Sequence, residues 1–385
     1  MAAPDLEQVN DLGERLMAAG RVEEARALLE LAADRDKGNA LYANNRAVAR
    51  YQLGDLTGAV RDLERALVLP DGRRLATLNY AAIAESHPRF VQRALAHCRG
   101  YLASGAADEG GQIARALQDL TGQLAKIDAW VRAWVGGMPA HALSKVTHTK
   151  DVTSYLEIGE KLASALLTQF DGLTAAETIL DFGVGLGRVL WPLLQHIPTA
   201  DFIAYDVDPI MIKAVGKVRE MADVRLLHSL GDIPDASVDA VFVISVFTHL
   251  DVTTDYWLCE LKRVLKRGGR AFITFHDDSV YRELYDANGL ARGSPREFRG
   301  RFTTGQGAQG STFMASFYEC AEWERTVARF FRVLKTVPRG VVGYQSFSLV
   351  EKVDDRNDVL AHQGTYARDL ENELYRLRER ANLEF

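Results

Sequence analysis

The sequence predicts an α/β protein: a mostly parallel sheet with a closing antiparallel hairpin, preceded by an all-α repeat domain and followed by a C-terminal helix. Three observations predict it. From residue 151 onward, short apolar strands alternate with helical stretches, the order that builds a parallel sheet. One strand runs directly into a glycine loop and a helix, Ile179-Leu180-Asp181-Phe182-Gly183-Val184-Gly185-Leu186-Gly187-Arg188. The first hundred residues instead repeat themselves, with Gly20 to Ala25 and Gly54 to Ala59 offset by 34 positions.

The repeat accounts for the N-terminal elements. Leu29 and Leu63 share the 34-residue offset, as do Ala32 and Ala66, while Leu12, Gly13 and Leu16 complete the first unit. Two helices per period with small residues at their contacts resemble the tetratricopeptide repeat. The second unit departs from that pattern, with Arg46 and Ala47 where Leu and Gly are usual. A third, degenerate unit is expected from Leu75 to about Gly105, with Phe90, Val91 and Leu95 on one face. These units define a domain over residues 1–105. Residues 106–150 read as a helical linker. Ile113, Leu117, Leu120, Leu124 and Ile127 have helical spacing, and Trp130, Trp134 and Val135 form an aromatic cluster suited to packing domains together.

The glycine loop dictates the chemistry of the second domain. Glycine lets backbone approach a ligand where a Cβ would collide, and a loop feeding a helix N-terminus offers free N–H groups. A dinucleotide site prefers G-x-G-x-x-G around a pyrophosphate. Here the glycines alternate and Asp181 precedes them. That acid repels a pyrophosphate and suits a ligand carrying an ammonium group. The pattern resembles the first motif of the class I S-adenosylmethionine-dependent methyltransferases. Phe202 to Asp206 is a second apolar strand ending in an acid, 19 positions after Gly187, and a carboxylate there accepts ribose hydroxyls. Asp208-Pro209 starts a helix, with Asp208 as its N-cap. Val224 to Leu227 and Ala240 to Ser245 are further strands. The helix before the fifth strand is expected to close at Gly268-Gly269, and the strand to span Arg270 to Phe275. Phe331 to Val337 and Tyr344 to Val350 read as the closing hairpin.

This order is similar to the Rossmann-like seven-stranded methyltransferase fold over residues 151–352. Ser245-Val246-Phe247-Thr248-His249-Leu250 and the later Gly343-Tyr344-Gln345-Ser346 resemble a bacterial subgroup tied to glycan and secondary-metabolite biosynthesis, although Val184 and Leu186 stand where that subgroup usually has cysteines. The resemblance implies S-adenosylmethionine as cofactor, held by Asp181, Phe182, Gly183, Gly185, Gly187, Arg188, Asp206, Val207, Ser245 and Tyr155. It implies O-methylation of a glycan or small metabolite. A protein methyltransferase that recruits its target through the repeats, and a non-catalytic repeat scaffold, are the alternatives.

An oxygen acceptor must lose a proton, so a general base is useful. His249 follows the fourth strand and is the first candidate; its other reading is a histidine capping the next helix near Asp251 and Thr253. His276 and Asp277 follow the fifth strand as a candidate His–carboxylate pair, with helix capping as the alternative for the acid. No metal is expected. Residues 289–312 are basic and then glycine-rich, and the resemblance implies that an insertion at this point lies over the acceptor pocket as a lid. Arg292, Arg296, Arg299 and Arg301 on it suit an acidic acceptor, with a solvated surface loop as the other reading.

At 385 residues, 47% apolar and 25% charged, the chain is an ordinary globular protein of two or three domains. A net charge of −6 disfavours nucleic acid. Three scattered cysteines (Cys98, Cys259, Cys320) and no basic-then-apolar leader lead us to expect a cytoplasmic protein without a membrane span. Residues 353–385 carry Leu360, Ala367, Leu370, Leu374, Leu377 and Ala381 at a/d spacing, a C-terminal helix that is a candidate short coiled coil and homodimer contact.

Overall fold

A computed structural model describes residues 5–354 apart from 70, 139–141, 144–148, 150, 288–289, 291–292 and 306–313. The C-terminal helix with its dimer contact, Arg292 and the glycine-rich stretch from 306 therefore lie outside the described residues. The chain divides into two compact units. One comprises residues up to Val131 with Gln195–Thr199, the other Arg132–Leu194 and residues from Ala200 onward. The division falls inside one helix of the stretch expected to be a separate linker.

The first unit is built from α1 (Leu6–Ala18), α2 (Val22–Arg35), α3 (Ala40–Gln52), α4 (Leu56–Leu67), α5 (Arg73–Ser86) and α6 (Val91–Ala103). Side-chain caps start several of them: Asp5 accepts from the N–H of Glu7, Asn39 from Leu41 and Tyr42, and Asp55 from Gly58. The helices pack as consecutive pairs. Gly13 admits Leu29, whose side chain lies 2.7 Å from where a Cβ would stand. Arg46 has a structural reason. Its Nε and Nη2 donate to Asp62 at 2.8 and 2.5 Å, its Nη1 to Asp34 at 2.6 Å, and Arg50 joins at 3.0 Å. Arg46 and Asp62 are both buried. Buried amides link α3 to its neighbours: Asn45 donates to Asn10 on α1 at 3.0 Å, and Asn79 on α5 donates to Asn44 at 2.9 Å.

α7 (Gln112–Gly136) leads into the second unit, followed by α8 (Val152–Gln169), which opens on a capping box between Asp151 and Ser154. Then come β1 (Thr178–Phe182), α9 (Leu190–His196), β2 (Asp201–Tyr205), α10 (Pro209–Val215), β3 (Val224–Leu227), β4 (Val238–Val243), α11 (Thr254–Val264) and β5 (Leu265–Asp277). α12 (Asp278–Asp286), β6 (Arg301–Gly305), β7 (Met314–Tyr318), α13 (Cys320–Ala328), β8 (Arg332–Val341) and β9 (Gln345–Glu351) complete it. The sheet runs β3-β2-β1-β4-β5, all parallel. β9 pairs antiparallel with β5 from Arg270 to Phe275, and β8 with β9. Phe182, Tyr205 and Trp257 pack together beneath the sheet's carboxyl edge, with ring centroids 5.1–6.3 Å apart.

Three expectations are corrected. The sheet has nine strands rather than seven, because β6 and β7 form an extra antiparallel hairpin. β7 joins β5 in parallel at His276 and Asp277, so part of the expected irregular lid is regular sheet: Arg301-Phe302-Thr303-Thr304 satisfies its backbone against Ala315 to Tyr318. Gly268-Gly269 do not end a helix. α11 stops at Val264 and both glycines lie within β5, where the β4 register shifts; Gly268, at φ 79°, supplies the irregularity. Basic residues near these glycines pair with acids. Lys262 pairs with Asp354 at 2.9 Å, Lys266 with Asp239 at 2.8 Å and Arg270 with Glu351 at 3.4 Å.

Candidate functional site

Asp181, the glycine loop, Asp206 and Ser245 follow or end β1, β2 and β4 at one edge of the sheet, the edge where open α/β sheets bind ligands. The loop turns left-handed at every second residue: Gly183, Gly185 and Gly187 have φ of 81°, 52° and 80°. A side chain there is both strained and obstructed. A Cβ on Gly183 would stand 2.3 Å from Val246, and one on Gly187 would stand 2.7 Å from Val215.

Asp206 is buried, and both its oxygens accept backbone N–H groups, Oδ2 from Gly185 and Oδ1 from Asp208, each at 2.9 Å. One carboxylate thus ties the glycine loop to the start of α10. Asp208 caps that helix, accepting from Ile210 at 2.9 Å. Phe182 belongs to the core below, and the half-buried Val207 packs against that core. Asp181 is also buried, at 4% exposure. Burial first, and the Asp206 carboxylate second, push its carboxyl well above the ordinary carboxylate range.

α8 crosses the loop from outside. Tyr155 donates its hydroxyl to the Leu186 carbonyl at 2.6 Å, and burial pushes its phenol up. One turn later, Gly159 approaches so closely that a Cβ would stand 2.3 Å from the Arg188 carbonyl oxygen. Gly159 was missed in the sequence. The signal was there: a single glycine inside an otherwise strong helix costs about 1 kcal/mol and marks a close contact. Arg188 is half-buried, and desolvation lowers its guanidinium.

Ser245 is one of four described non-glycine residues with positive φ, at 62°. Its N–H donates to Thr274 Oγ1 at 2.8 Å, and its Oγ accepts from Gln345 Nε2 at 2.7 Å. Strained backbone held by surrounding hydrogen bonds is characteristic of functional sites. His249 Nδ1 lies 2.5 Å from the Met314 carbonyl of β7. A carbonyl only accepts, so Nδ1 carries the proton and the ring lone pair falls on Nε2.

His276 and Asp277 do not form a dyad. They are adjacent on β5 and so face opposite sides. The His276 ring stacks on Phe317 and meets Tyr344 edge-on, each at 5.4 Å. Asp277 caps α12: Oδ1 accepts from Ser279 N–H, Ser279 Oγ and Val280 N–H, and Oδ2 from Ser346 Oγ. Burial raises its carboxyl, but the bonds from Ser279, Ser346 and Val280 outweigh that and hold it below the ordinary range. The arginines are not gathered either. Arg301 pairs with Asp251 at 2.9 Å, Arg299 is 97% exposed with Glu319 at 3.7 Å, and Arg296 is exposed.

Residues 180–273, which hold the loop and the strand-end acids, match the family described as methyltransferase domain. The chain carries an S-adenosylmethionine-dependent methyltransferase domain. A curated relative, malonyl-[acyl-carrier protein] O-methyltransferase of Hahella chejuensis, is 31% identical over 136 residues, 34% of this chain and 47% of that protein. The chain spans less than half the length of the curated relatives it matches. Among solved structures, a SAM-dependent methyltransferase from Aquifex aeolicus is 23% identical with a TM-score of 0.35, covering 49% of this chain and 90% of that one. A 1,6-didemethyltoxoflavin-N1-methyltransferase from Burkholderia thailandensis is 18% identical with a TM-score of 0.36, covering 56% and 92%.

S-adenosylmethionine is the methyl donor of this domain, and the residues present fit it. The glycines keep the loop backbone bare of side chains at three points along the sheet's carboxyl edge, and the buried Asp181 carboxyl beside it suits a ligand's ammonium group. Binding an ammonium group beside Asp181 favours its ionised form, so the bound-state pKa falls below the free-state value and binding releases a proton. Affinity for S-adenosylhomocysteine should therefore rise with pH below the elevated pKa and level off above it. Calorimetry in buffers of different ionisation enthalpy should show that proton release, and Asp181→Asn should abolish it.

Among the described residues no group of three or more His, Cys, Asp or Glu is arranged to hold a metal, and no helix is long and apolar enough to cross a membrane.

Proposed function

We propose that the protein methylates an oxygen of a small-molecule or glycan acceptor, with His249 as the general base. The observation that carries this is the His249–Met314 bond, which fixes the imidazole with its lone pair on Nε2, on the segment that follows Ser245 at the sheet's carboxyl edge. Bound S-adenosylmethionine supplies an already activated methyl group. Asp181, the glycine loop and Asp206 hold it, and Nε2 takes the proton that an acceptor hydroxyl loses. The Asp277 carboxylate is committed to its helix, which leaves His249 the better-placed base. The acceptor need not be acidic, because Arg301 is held by Asp251 and the exposed Arg296 and Arg299 do not gather with it.

The first unit is tetratricopeptide-like. Its support is three consecutive helix pairs and the 34-residue offset between Gly20 and Gly54. Its role is to bring a protein partner to the enzyme.

Purified protein incubated with methyl-labelled S-adenosylmethionine and a cell extract tests the acceptor class. Label in small-molecule or glycan fractions supports the proposal, and label confined to protein overturns it in favour of a recruited protein substrate. On the labelled acceptor, His249→Gln should lower kcat by about a hundredfold with S-adenosylhomocysteine affinity unchanged. Activity within twofold of wild type would remove His249 from the mechanism.

A further inference from the structure

The last turn of α7 ends on the cofactor loop. Trp134 is only 4% exposed. Its Nε1–H donates to the Ala214 carbonyl at 3.2 Å, near the end of α10. The far edge of its indole, Cη2, lies 3.4 Å from where a Cβ on Gly187 would stand, and Val215 borders the same space. One side chain therefore touches both halves of the cofactor grip: the third glycine of the loop, and the helix whose first turn is tied to Asp206 through Asp208.

We propose that Trp134 is a positioning residue for S-adenosylmethionine, holding the glycine loop and α10 in their binding arrangement; this rests on the cofactor assignment above. The physical need is specific. Val184 and Leu186 pack inward, but the three glycines at positive φ between and beside them have no side chain to hold them, and glycine has the largest backbone freedom to lose. The loop keeps its binding shape only while neighbours confine it. Tyr155 confines it at Leu186 and the indole confines it at Gly187. Without the indole, the loop spends part of its time in other conformations. Apparent affinity then falls in proportion to the fraction still competent. The cofactor site accordingly includes a residue from outside the matched 180–273 segment, on a helix that precedes it in sequence.

S-adenosylhomocysteine, titrated into the full-length protein, tests this. Trp134→Ala should bind it at least tenfold more weakly. Trp134→Phe, which keeps a ring but loses the Nε1–H, should fall between that and wild type. The chain has five tryptophans. In protein labelled with 5-fluorotryptophan, the resonance missing from Trp134→Phe belongs to Trp134, and in wild type it should shift on saturation. A Trp134→Ala affinity within twofold of wild type, or an unmoved resonance, overturns the proposal. If Trp134→Ala does not fold, the Phe variant and the wild-type resonance still decide. Wild type that binds no S-adenosylhomocysteine overturns the cofactor assignment itself, a failure distinct from normal binding indifferent to Trp134.

Discussion

Asp206→Ala should weaken S-adenosylhomocysteine binding about tenfold to a hundredfold, measured by calorimetry, and should also loosen the protein around the loop. We propose two tasks for the carboxylate. Its position at the end of β2 suits ribose hydroxyls, and losing one or two charge-assisted bonds accounts for that range. It also accepts the N–H groups of Gly185 and Asp208. Removing it leaves two nearly buried donors unpaired, at about 1–3 kcal/mol each. Amide hydrogen exchange should therefore quicken at Gly185 and Asp208 even without ligand. Asp206→Asn separates the tasks. It keeps one acceptor oxygen but turns an NH₂ toward the other N–H, so exchange should quicken at only one of the two residues. Unchanged affinity in both variants would mean that the cofactor is held elsewhere.

Asp62→Ala should produce the largest stability defect, about 3–5 kcal/mol in the first unit, because it leaves the buried Arg46 guanidinium without its two-point partner. Asp34 still contacts Arg46 but is itself largely exposed, so it offers weak compensation. The double variant Arg46→Leu/Asp62→Leu removes both charges and should recover most of the loss, since apolar replacements of a buried pair are often neutral or better. Urea unfolding of full-length protein, followed in parallel by S-adenosylhomocysteine binding, distinguishes a local defect from a general one. Cofactor affinity should be unaltered in native conditions. A defect below 1 kcal/mol would show that solvent reaches the pair.

The elements that could be read from the sequence share a cause. β1, β2, β4 and the strand part of β5 are apolar because both faces are covered, and the glycine loop announces itself because no other residue tolerates its φ angles or its neighbours. Asp208 as an N-cap is equally local. What escaped the sequence depends on partners distant along the chain. β6 and β7 look like loop because Arg301 to Gly305 has little apolar content, and only pairing with Met314 to Tyr318 makes it a strand. Gly268-Gly269 carry the same residues as a helix stop, and the register shift against β4 decides otherwise. At the site, Asp277 looked catalytic by its place after a strand, yet Ser279, Val280 and Ser346 claim its oxygens. Arg301 looked like a lid cation until Asp251, fifty residues earlier, met it.

The buried amides of the helical unit have a consequence for how such a protein changes length. Asn44 and Asn45 are neighbours on α3, yet one serves α5 and the other α1, each partner 35 residues away. A stack joined this way carries a phase mark at each joint. Duplicating or deleting one whole helix pair re-forms the mark, because every new neighbour brings its amide to the same height. An insertion that shifts α3 by one position turns its residues by about 100° and strands both amides at once, each at roughly 1–3 kcal/mol. Growth and shrinkage of this region are thereby confined to integral steps of one pair, and natural length variants should differ by multiples of that period rather than by scattered residues.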